Sequence, residues 1–270
     1  MKQSFTFKQF EIRQERCAMK VGTDGVLLGA WARVGHCNHI LDIGTGTGLV
    51  ALMAAQRSQA DIVAIDLDTD AVAQAAENVA ASPWAGRIHV LEADARMIVN
   101  LQLFHPEVNF DLVDQKVHLS SLTSAPTGVD LRYNSPLSPL FDAILCNPPF
   151  FENSLKSPDT ARTMARHTDT LSFDELTRSA AHLLAPQGEL SVIIPYDRAH
   201  DMTVSAACCG LFVTRQTIVV PVEGGKPKRI LMAFTREGAP HAVDTLSIHD
   251  AQHCYTPEYV RLVEDFYLKM

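Results

Sequence analysis

A short apolar run near residue 40 leads directly into a glycine-rich segment, and few folds accommodate that combination. His39-Ile-Leu-Asp-Ile43 is followed by Gly44-Thr-Gly-Thr-Gly48, and a stretch rich in Ala, Leu and Met begins at Leu49. Glycines at this point allow a tight turn and let the backbone approach a ligand closely, because no Cβ intervenes. The segment predicts a buried strand, a ligand-binding turn and a helix. Taken alone it is weak evidence for a ligand, since any tight strand–helix connection uses glycine.

Apolar runs and helix-like stretches alternate over most of the chain up to residue 195. The predicted strands span residues 39–43, 61–65, 87–92, 141–146 and 188–195, and the predicted helices span 49–57, 69–81 and 173–184. The strand-like runs are mostly apolar rather than strictly alternating, as expected for parallel strands that are covered on both faces. Repeated strand–helix units of this kind predict a doubly wound α/β sheet.

The last part of the chain follows a different pattern. Residues 211–220 and 230–235 are strand-like runs with no helix between them, joined by a turn region, Glu223-Gly-Gly-Lys-Pro-Lys228. They predict a C-terminal antiparallel hairpin that closes an otherwise parallel sheet of seven strands. Such a hairpin is not typical of a dinucleotide-binding sheet. From Thr256 onward the tail is predicted to form a short helix, with Pro257 in its first turn.

We expect one domain over residues 1–270, because 47% hydrophobic and 20% charged residues suit a single globular core with small additions. Between Asp94 and Phe141 there is no convincing long element, and loops beyond about 12–15 residues are uncommon in compact domains. Residues 101–138 are therefore interpreted as an insertion, either a β-hairpin excursion or a mobile loop.

Charge and cysteine usage restrict the classes of partner. The net charge of −8 argues against a non-specific nucleic-acid binder, yet residues 1–33 carry six Lys/Arg against three acids, and residues 223–236 carry four against one. This uneven distribution of charge is explained equally well by a face that meets a polyanion and by ordinary solvated loops. The six cysteines have no C-x-x-C or metal-ligand spacing, which predicts reduced thiols, a cytoplasmic protein and no metal. No secretory signal or membrane span is expected.

Three aspartates are associated with the first three predicted strands. Asp42 lies two residues before Gly44, Asp66 closes the second strand, and Asp94 follows the third. Because the carboxyl ends of parallel strands meet at one edge, these side chains are expected to face the same crevice. There Asp66 would accept ribose hydroxyls and Asp94 an adenine amino group. Three acids suit a cationic sulfonium better than a pyrophosphate; helix capping is the alternative for each acid alone.

The tetrapeptide Asn147-Pro-Pro-Phe150 ends the fourth predicted strand. A conjugated amino group is a poor nucleophile, and hydrogen-bond acceptors on its N–H groups favour the rehybridisation that attack requires. Asn147 offers a side-chain carbonyl and Pro148 a main-chain carbonyl, while neither proline has an N–H. Phe150 can stack on an extruded base. The motif predicts methyl transfer to a planar nitrogen by alignment of the reactants; a plain proline turn is the alternative.

These motifs resemble the bacterial tRNA(Val) adenine-37 N(6)-methyltransferase family. The resemblance covers nearly the whole chain except residues 101–138, and its matching segments are Lys20–Trp31, Asp42–Gly48, Asn147–Phe151, Leu171–Leu176, Lys226–Ile230 and Asp265–Lys269. It implies the class I methyltransferase (Rossmann-like) fold, S-adenosylmethionine as methyl donor and an adenosine in tRNA as acceptor. It also implies that residues 1–33 form an extension over the cofactor site, with Lys20, Thr23 and Asp24 over the methionine end.

The resulting candidate residues fall into three groups. The catalytic candidates are Asn147, Pro148 and Phe150. The candidates for cofactor binding are Lys20, Thr23, Asp24, Asp42, Gly44, Thr45, Gly46, Gly48, Asp66, Asp94 and Asn147. The candidates for substrate binding are Pro149, Phe150, Phe151, Arg162, Arg166, Lys226, Lys228 and Arg229. A catalytic base is not required, which disfavours that role for His167.

Several alternatives remain open from the residues alone. The same motif serves a guanine amino group in ribosomal RNA or a glutamine amide in a release factor, because each nitrogen is conjugated and planar. A nicotinamide-dependent oxidoreductase is disfavoured by the terminal hairpin and by Asn147–Phe150. A non-catalytic RNA-binding protein with the same fold is a third possibility. The expected partner is tRNA, with no DNA and no membrane, and the sequence leaves the oligomeric state open.

Overall fold

The chain folds around an eight-stranded sheet with helices on both faces, as seen in a computed structural model that describes residues 4–17, 19–96, 141–148, 171–238 and 240–269. The strands are β1 (Ser4–Thr6), β2 (Glu11–Arg13), β3 (His39–Ile43), β4 (Asp61–Asp66), β5 (Ile88–Glu92), β6 (Phe141–Cys146), β7 (Leu184–Pro195), β8 (Phe212–Val222), β9 (Arg229–Thr235) and β10 (Ala242–His249). The α-helices are α1 (Thr23–Trp31), α2 (Leu49–Arg57), α3 (Thr69–Ala80), α4 (Phe173–Leu183), α5 (Ala199–Cys208) and α6 (Pro257–Val263).

The order of strands in the large sheet is β10-β8-β9-β7-β6-β3-β4-β5, and β9 alone runs antiparallel to its neighbours among these eight. The predicted doubly wound, mostly parallel sheet with a C-terminal antiparallel hairpin is confirmed, and all seven predicted strands are present. An eighth strand, β10, adds to the edge parallel to β8. The strand order reverses between β3 and β6, which is where an open α/β sheet leaves a crevice at its carboxyl edge.

Alternate side chains of the central strands build two cores. Ile62 and Ala64 pack into the core under α1, α2 and α6, whereas Val63 and Ile65 pack into the core under α4 and α5. This alternation is the consequence of a strand burying both faces. The proposed insertion, residues 101–138, lies outside the described residues. Among the described helices, none is long and apolar enough to cross a membrane.

The N-terminal segment is held between helix α3 and the C-terminal end of the chain. The Asn78 side chain of α3 accepts a bond from Arg13 N (2.9 Å) and donates to Arg13 O (2.8 Å) and Thr47 O (2.8 Å). In the connection between β1 and β2, Phe7 forms an antiparallel bridge with Tyr267, and Lys8 N donates to the Phe266 carbonyl at 2.8 Å. These contacts fix residues 4–17 along one side of the sheet's carboxyl edge.

Candidate active site

The glycine turn between β3 and α2 adopts a conformation that favours glycine. Gly44 and Gly46 have φ angles of 72° and 55°, and no atom lies within 4 Å of where a Cβ would be at either position. An L-residue would be strained there whatever the space. Gly44 N and Thr45 N both donate to the Ile65 carbonyl at 2.9 Å, which fastens the turn to the end of β4.

Asp42 is buried beneath this turn rather than exposed to a ligand. It is 1% exposed, and Thr45 Oγ1 donates to Asp42 Oδ2 at 2.7 Å. Burial raises the pKa of the Asp42 carboxyl to about 7, and the Thr45 hydroxyl opposes that shift. Asp42 and Thr45, which were predicted to bind the cofactor, therefore stabilise the glycine turn from its buried side.

Asp66 joins the end of β4 to the glycine turn. Its Oδ2 accepts a hydrogen bond from Gly46 N at 2.9 Å, and its Oδ1 accepts one from Asp68 N at 3.0 Å. Burial raises the pKa of the Asp66 carboxyl, and these main-chain donors oppose the rise. Each oxygen keeps a further lone pair for a ligand hydroxyl.

Asp94, which follows β5, is held by an arginine that the sequence analysis did not select. Arg96 Nε lies 2.9 Å from both carboxylate oxygens of Asp94, and Arg96 Nη2 lies 2.8 Å from Oδ2. Arg96 also reaches Glu175 at 3.8 Å, at the start of α4. This forked contact fixes the direction of the Asp94 carboxylate. In the sequence, the only sign of this contact is that Arg96 lies two residues after Asp94.

Asn147 and Pro148 stand at the carboxyl end of β6, next to the glycine turn on β3. Directly before them, Cys146 is buried, and burial raises the pKa of its thiol. The Asn147 side chain is half-buried, and no partner for its amide lies among the residues that the structure describes. Pro149, Phe150, Phe151, Arg162, Arg166 and His167 lie outside those residues, so their predicted roles stay predictions.

These groups surround one cavity of about 250 Å³ at the carboxyl edge of the sheet. Six predicted residues line it, namely Gly44, Gly46, Asp66, Asp94, Asn147 and Pro148. The remaining lining is largely apolar: Cys17, Met19, Ile43, Ile65, Leu67, Asp68, Ala71, Ala93, Ala95, Arg96, Cys146 and Leu171. The sequence analysis missed most of this second set, because an apolar side chain in a cavity wall has the same sequence pattern as one in the core.

The other predicted residues lie around the cavity without lining it. Lys20 Nζ donates to the main-chain oxygens of Gln14 and Cys17. At the start of α1, Asp24 Oδ2 lies 2.8 Å from Arg229 Nε at the start of β9, which joins a predicted cofactor residue to a predicted substrate residue. Thr23 begins α1, Gly48 is the N-cap of α2, and Lys226 and Lys228 are exposed in the β8–β9 turn.

The residues present fit S-adenosylmethionine. Gly44 and Gly46, at positive φ and with open space around them, let a ligand approach the turn closely. Asp66 and Asp94 provide acceptors for ribose hydroxyls and an adenine amino group, and aliphatic side chains flank both carboxylates. The carboxylates suit a sulfonium cation and disfavour a pyrophosphate. In the described part of the chain, no group of three or more His, Cys, Asp or Glu side chains is arranged to hold a metal ion.

Comparisons with known proteins identify the fold and the family of the chain. A profile of the methyltransferase domain family matches residues 40–126. The tRNA1(Val) (adenine(37)-N6)-methyltransferase of Phocaeicola vulgatus is 46% identical, with 98% of each chain covered. Proteins of the same name from Trichodesmium erythraeum and Bacteroides fragilis are 43% and 42% identical at the same coverage. The crystal structure of a predicted O-methyltransferase from Agrobacterium tumefaciens superposes with a TM-score of 0.58 at 20% identity, covering 90% of this chain and 96% of its own.

The sheet order, the glycine turn and the acidic cavity define a class I S-adenosylmethionine-dependent methyltransferase. The full-length identity to curated relatives identifies the family within that class. The chain belongs to the tRNA1(Val) (adenine(37)-N6)-methyltransferase family.

Proposed function

We propose that the chain transfers a methyl group from S-adenosylmethionine to the exocyclic amino group of adenosine 37 in tRNA1(Val). The observation that carries the proposal is Asn147, which lines the cavity and whose side-chain amide has no hydrogen-bond partner in the described part of the chain. The names of the relatives support adenine as acceptor over the guanine amino group and the glutamine amide.

Some of the residues proposed to bind the cofactor provide oriented hydrogen-bond acceptors, and others set the conformation of the glycine turn. Asp66 accepts hydrogen bonds from ribose hydroxyls, and the Arg96 contact directs Asp94 toward an adenine amino group. Gly44 and Gly46 leave the close approach open, and Asp42 with Thr45 keeps the turn in that conformation. Lys20, Thr23 and Asp24 belong to the segment that closes the methionine end. When bound, the cofactor supplies an electrophilic methyl group on a sulfonium.

At the acceptor nitrogen, the residues of the chain act as hydrogen-bond acceptors. The Asn147 side-chain oxygen and the Pro148 carbonyl accept from the two N–H groups of the amine, which localises its lone pair toward the methyl carbon. The amine proton becomes acidic as the N–C bond forms, so a strong base is unnecessary. Most of the rate enhancement then comes from alignment of the amine nitrogen, the methyl carbon and the sulfur. Phe150, with its neighbours Pro149 and Phe151, is proposed to stack on the extruded base.

The test is nucleoside analysis by mass spectrometry. Unmodified tRNA1(Val) and a second unmodified tRNA are incubated with enzyme and methyl donor, digested and analysed. The expected result is N6-methyladenosine from tRNA1(Val) only, and its loss when adenosine 37 is replaced by guanosine. Methylation of ribosomal RNA guanine or of a release-factor glutamine, with no methylated adenosine in tRNA, would overturn the proposal.

The proposed substrate also bears on location. A tRNA acceptor requires access to the cytoplasm, and the six cysteines are all free thiols, which suits a reducing compartment. We propose a cytoplasmic enzyme with tRNA as its partner. Arg162 and Arg166, together with the basic β8–β9 turn, are proposed to contact the RNA backbone.

A further inference from the structure

Tyr196 is an exposed aromatic residue at the carboxyl edge of the sheet, and neither cofactor binding nor the proposed methyl transfer uses it. It directly follows β7, which pairs with β6, the strand that ends at Asn147. Adjacent strands lie about 4.8 Å apart, so Tyr196 and Asn147 belong to neighbouring positions along the same edge of the sheet. The residue is 40% exposed.

The strand register places Tyr196 further along the carboxyl edge than Asn147. Cys146 is paired with Val192, so Asn147 is one residue beyond this pair and Tyr196 is four residues beyond it. Tyr196 follows Pro195, the last residue of β7, and begins a one-turn 3-10 helix, Tyr196–Arg198. Tyr196 therefore lies past the end of its strand, outward of the position that Asn147 occupies at the end of β6.

Tyr196 is also fixed next to a lysine. Its main-chain N–H donates to the Lys228 carbonyl at 3.2 Å, which fixes the backbone of Tyr196 beside the β8–β9 turn. The nearby Arg198 and Arg229 are paired with Asp201 and Asp24. Lys228 is exposed and has no carboxylate partner in the part of the chain that the structure describes.

We propose that Tyr196 stacks on a base adjoining the target adenosine, while Lys228 contacts the neighbouring phosphate. An aromatic ring next to an unpaired cation is the recurring arrangement for holding single-stranded nucleic acid, and stacking tolerates any base. These two contacts hold the RNA strand in place while the target base is flipped out toward Asn147. The inference rests on the proposed function, because it requires an RNA acceptor.

The test combines three variants with modified RNA. Y196A removes the ring, Y196F keeps it, and F212A is a matched control because Phe212 is 48% exposed at the opposite edge of the sheet, at the start of β8. Each enzyme is assayed on tRNA1(Val) and on the same tRNA carrying an abasic site on either side of adenosine 37. Y196A is expected to lower kcat/KM for tRNA about tenfold, mainly through KM, with the KM for S-adenosylmethionine unchanged. Y196F and F212A are expected to stay within about twofold of the unmodified enzyme.

The abasic substrates identify the stacking partner even if Y196A changes overall activity. One of the two abasic sites is expected to reduce the activity of the unmodified enzyme about tenfold and to add no further loss to Y196A. Y196A activity equal to that of the unmodified enzyme, or losses that multiply at both abasic sites, would overturn the inference alone. If the unmodified enzyme methylates no adenosine in tRNA, the proposed function itself fails.

Discussion

Single side chains at the carboxyl edge of the sheet have separable tasks. Asp66 and Asp94 are already oriented by Gly46 N and by Arg96, whereas Asn147 lines the cavity and its amide has no partner in the described region. Because both carboxylates are oriented before a ligand binds, binding requires less reorganisation of the site. In the proposed mechanism, the Asn147 amide makes its hydrogen bond to the acceptor amine instead of to the cofactor. Binding and turnover should therefore respond to different substitutions.

Replacement of Asn147 by Ala tests that separation. We expect kcat to fall by at least about a hundredfold, as for the loss of one preorganised hydrogen-bonding group in other active sites, while the affinity for S-adenosylhomocysteine stays nearly unchanged. Single-turnover kinetics and calorimetric titration measure the two quantities. Asp66→Ala is the converse control, with weakened affinity expected for S-adenosylhomocysteine. Unaltered turnover in N147A would refute the mechanism proposed here.

Asp42 predicts a pH dependence of stability. Its pKa is raised by burial to about 7 in the folded chain, so its ionised form is disfavoured by folding. Between the unfolded pKa of about 4 and a folded pKa of about 7, the folded state binds more protons, and this residue costs increasing stability as pH rises. Asp42→Asn is therefore expected to be more stable than the unmodified protein at pH 8 by a few kcal/mol, with the difference shrinking toward pH 4. Urea unfolding at both pH values measures it, and a constant difference would contradict the assignment.

At the scale of elements, helix α3 links the N-terminal segment to the glycine turn. Asn78 binds both main-chain groups of Arg13 and the Thr47 carbonyl, while Cys17 and Met19, further along that segment, line the cavity. One buried amide thus bridges two loops on the cofactor side. Removal of a buried hydrogen-bonding partner leaves buried polar groups unsatisfied, and this costs more stability than the net contribution of the hydrogen bond itself.

Asn78→Ala is expected to destabilise the fold by about 1–3 kcal/mol and to weaken S-adenosylhomocysteine binding severalfold, because the segment carrying Met19 is released. Arg13→Ala is the matched control, since the bonds to residue 13 use its main chain only. Limited proteolysis should cut N78A within residues 8–20 before R13A is cut. Equal proteolysis of both variants would show that Asn78 does not retain the segment.

The sequence predicted the elements with a strong pattern and missed those without one. Uniformly apolar runs located β3, β4 and β6, because parallel central strands are buried on both faces. β10 was missed because its first four residues, Ala242 to Thr245, are exposed and polar residues interrupt it. α5 was missed for a similar reason, since only Met202 and Ala206 are buried in it. In the site, the motif residues could be predicted from their chemistry, whereas the contact between Arg96 and Glu175 depends on a fold that brings α4 close to the end of β5.

At the scale of the whole molecule, the acidic cavity decides which nucleotide-derived ligand is accepted. In thermal unfolding, S-adenosylhomocysteine is expected to raise the melting temperature progressively with concentration, because ligand binding to the folded state adds stability by mass action. NAD at the same concentrations is expected to produce no shift, since the negative charges of its pyrophosphate would be repelled in a cavity that Asp66, Asp68 and Asp94 line. Asp66→Ala serves as the control that loses the S-adenosylhomocysteine shift. A larger shift with NAD would refute the cofactor assignment.

The bridge between Phe7 and Tyr267 has a consequence for the order in which the protein folds during synthesis. The segment that contributes Cys17 and Met19 to the cavity is fastened at its beginning to residues 266 and 267. A nascent chain that has already emerged as far as β9 can pair its sheet, yet its first residues still lack the partner that secures them. The N-terminal hairpin can therefore close onto the C-terminal end only after residue 267 leaves the ribosome, whereas Arg13 and Arg16 can already bind helix α3 in a shorter nascent chain.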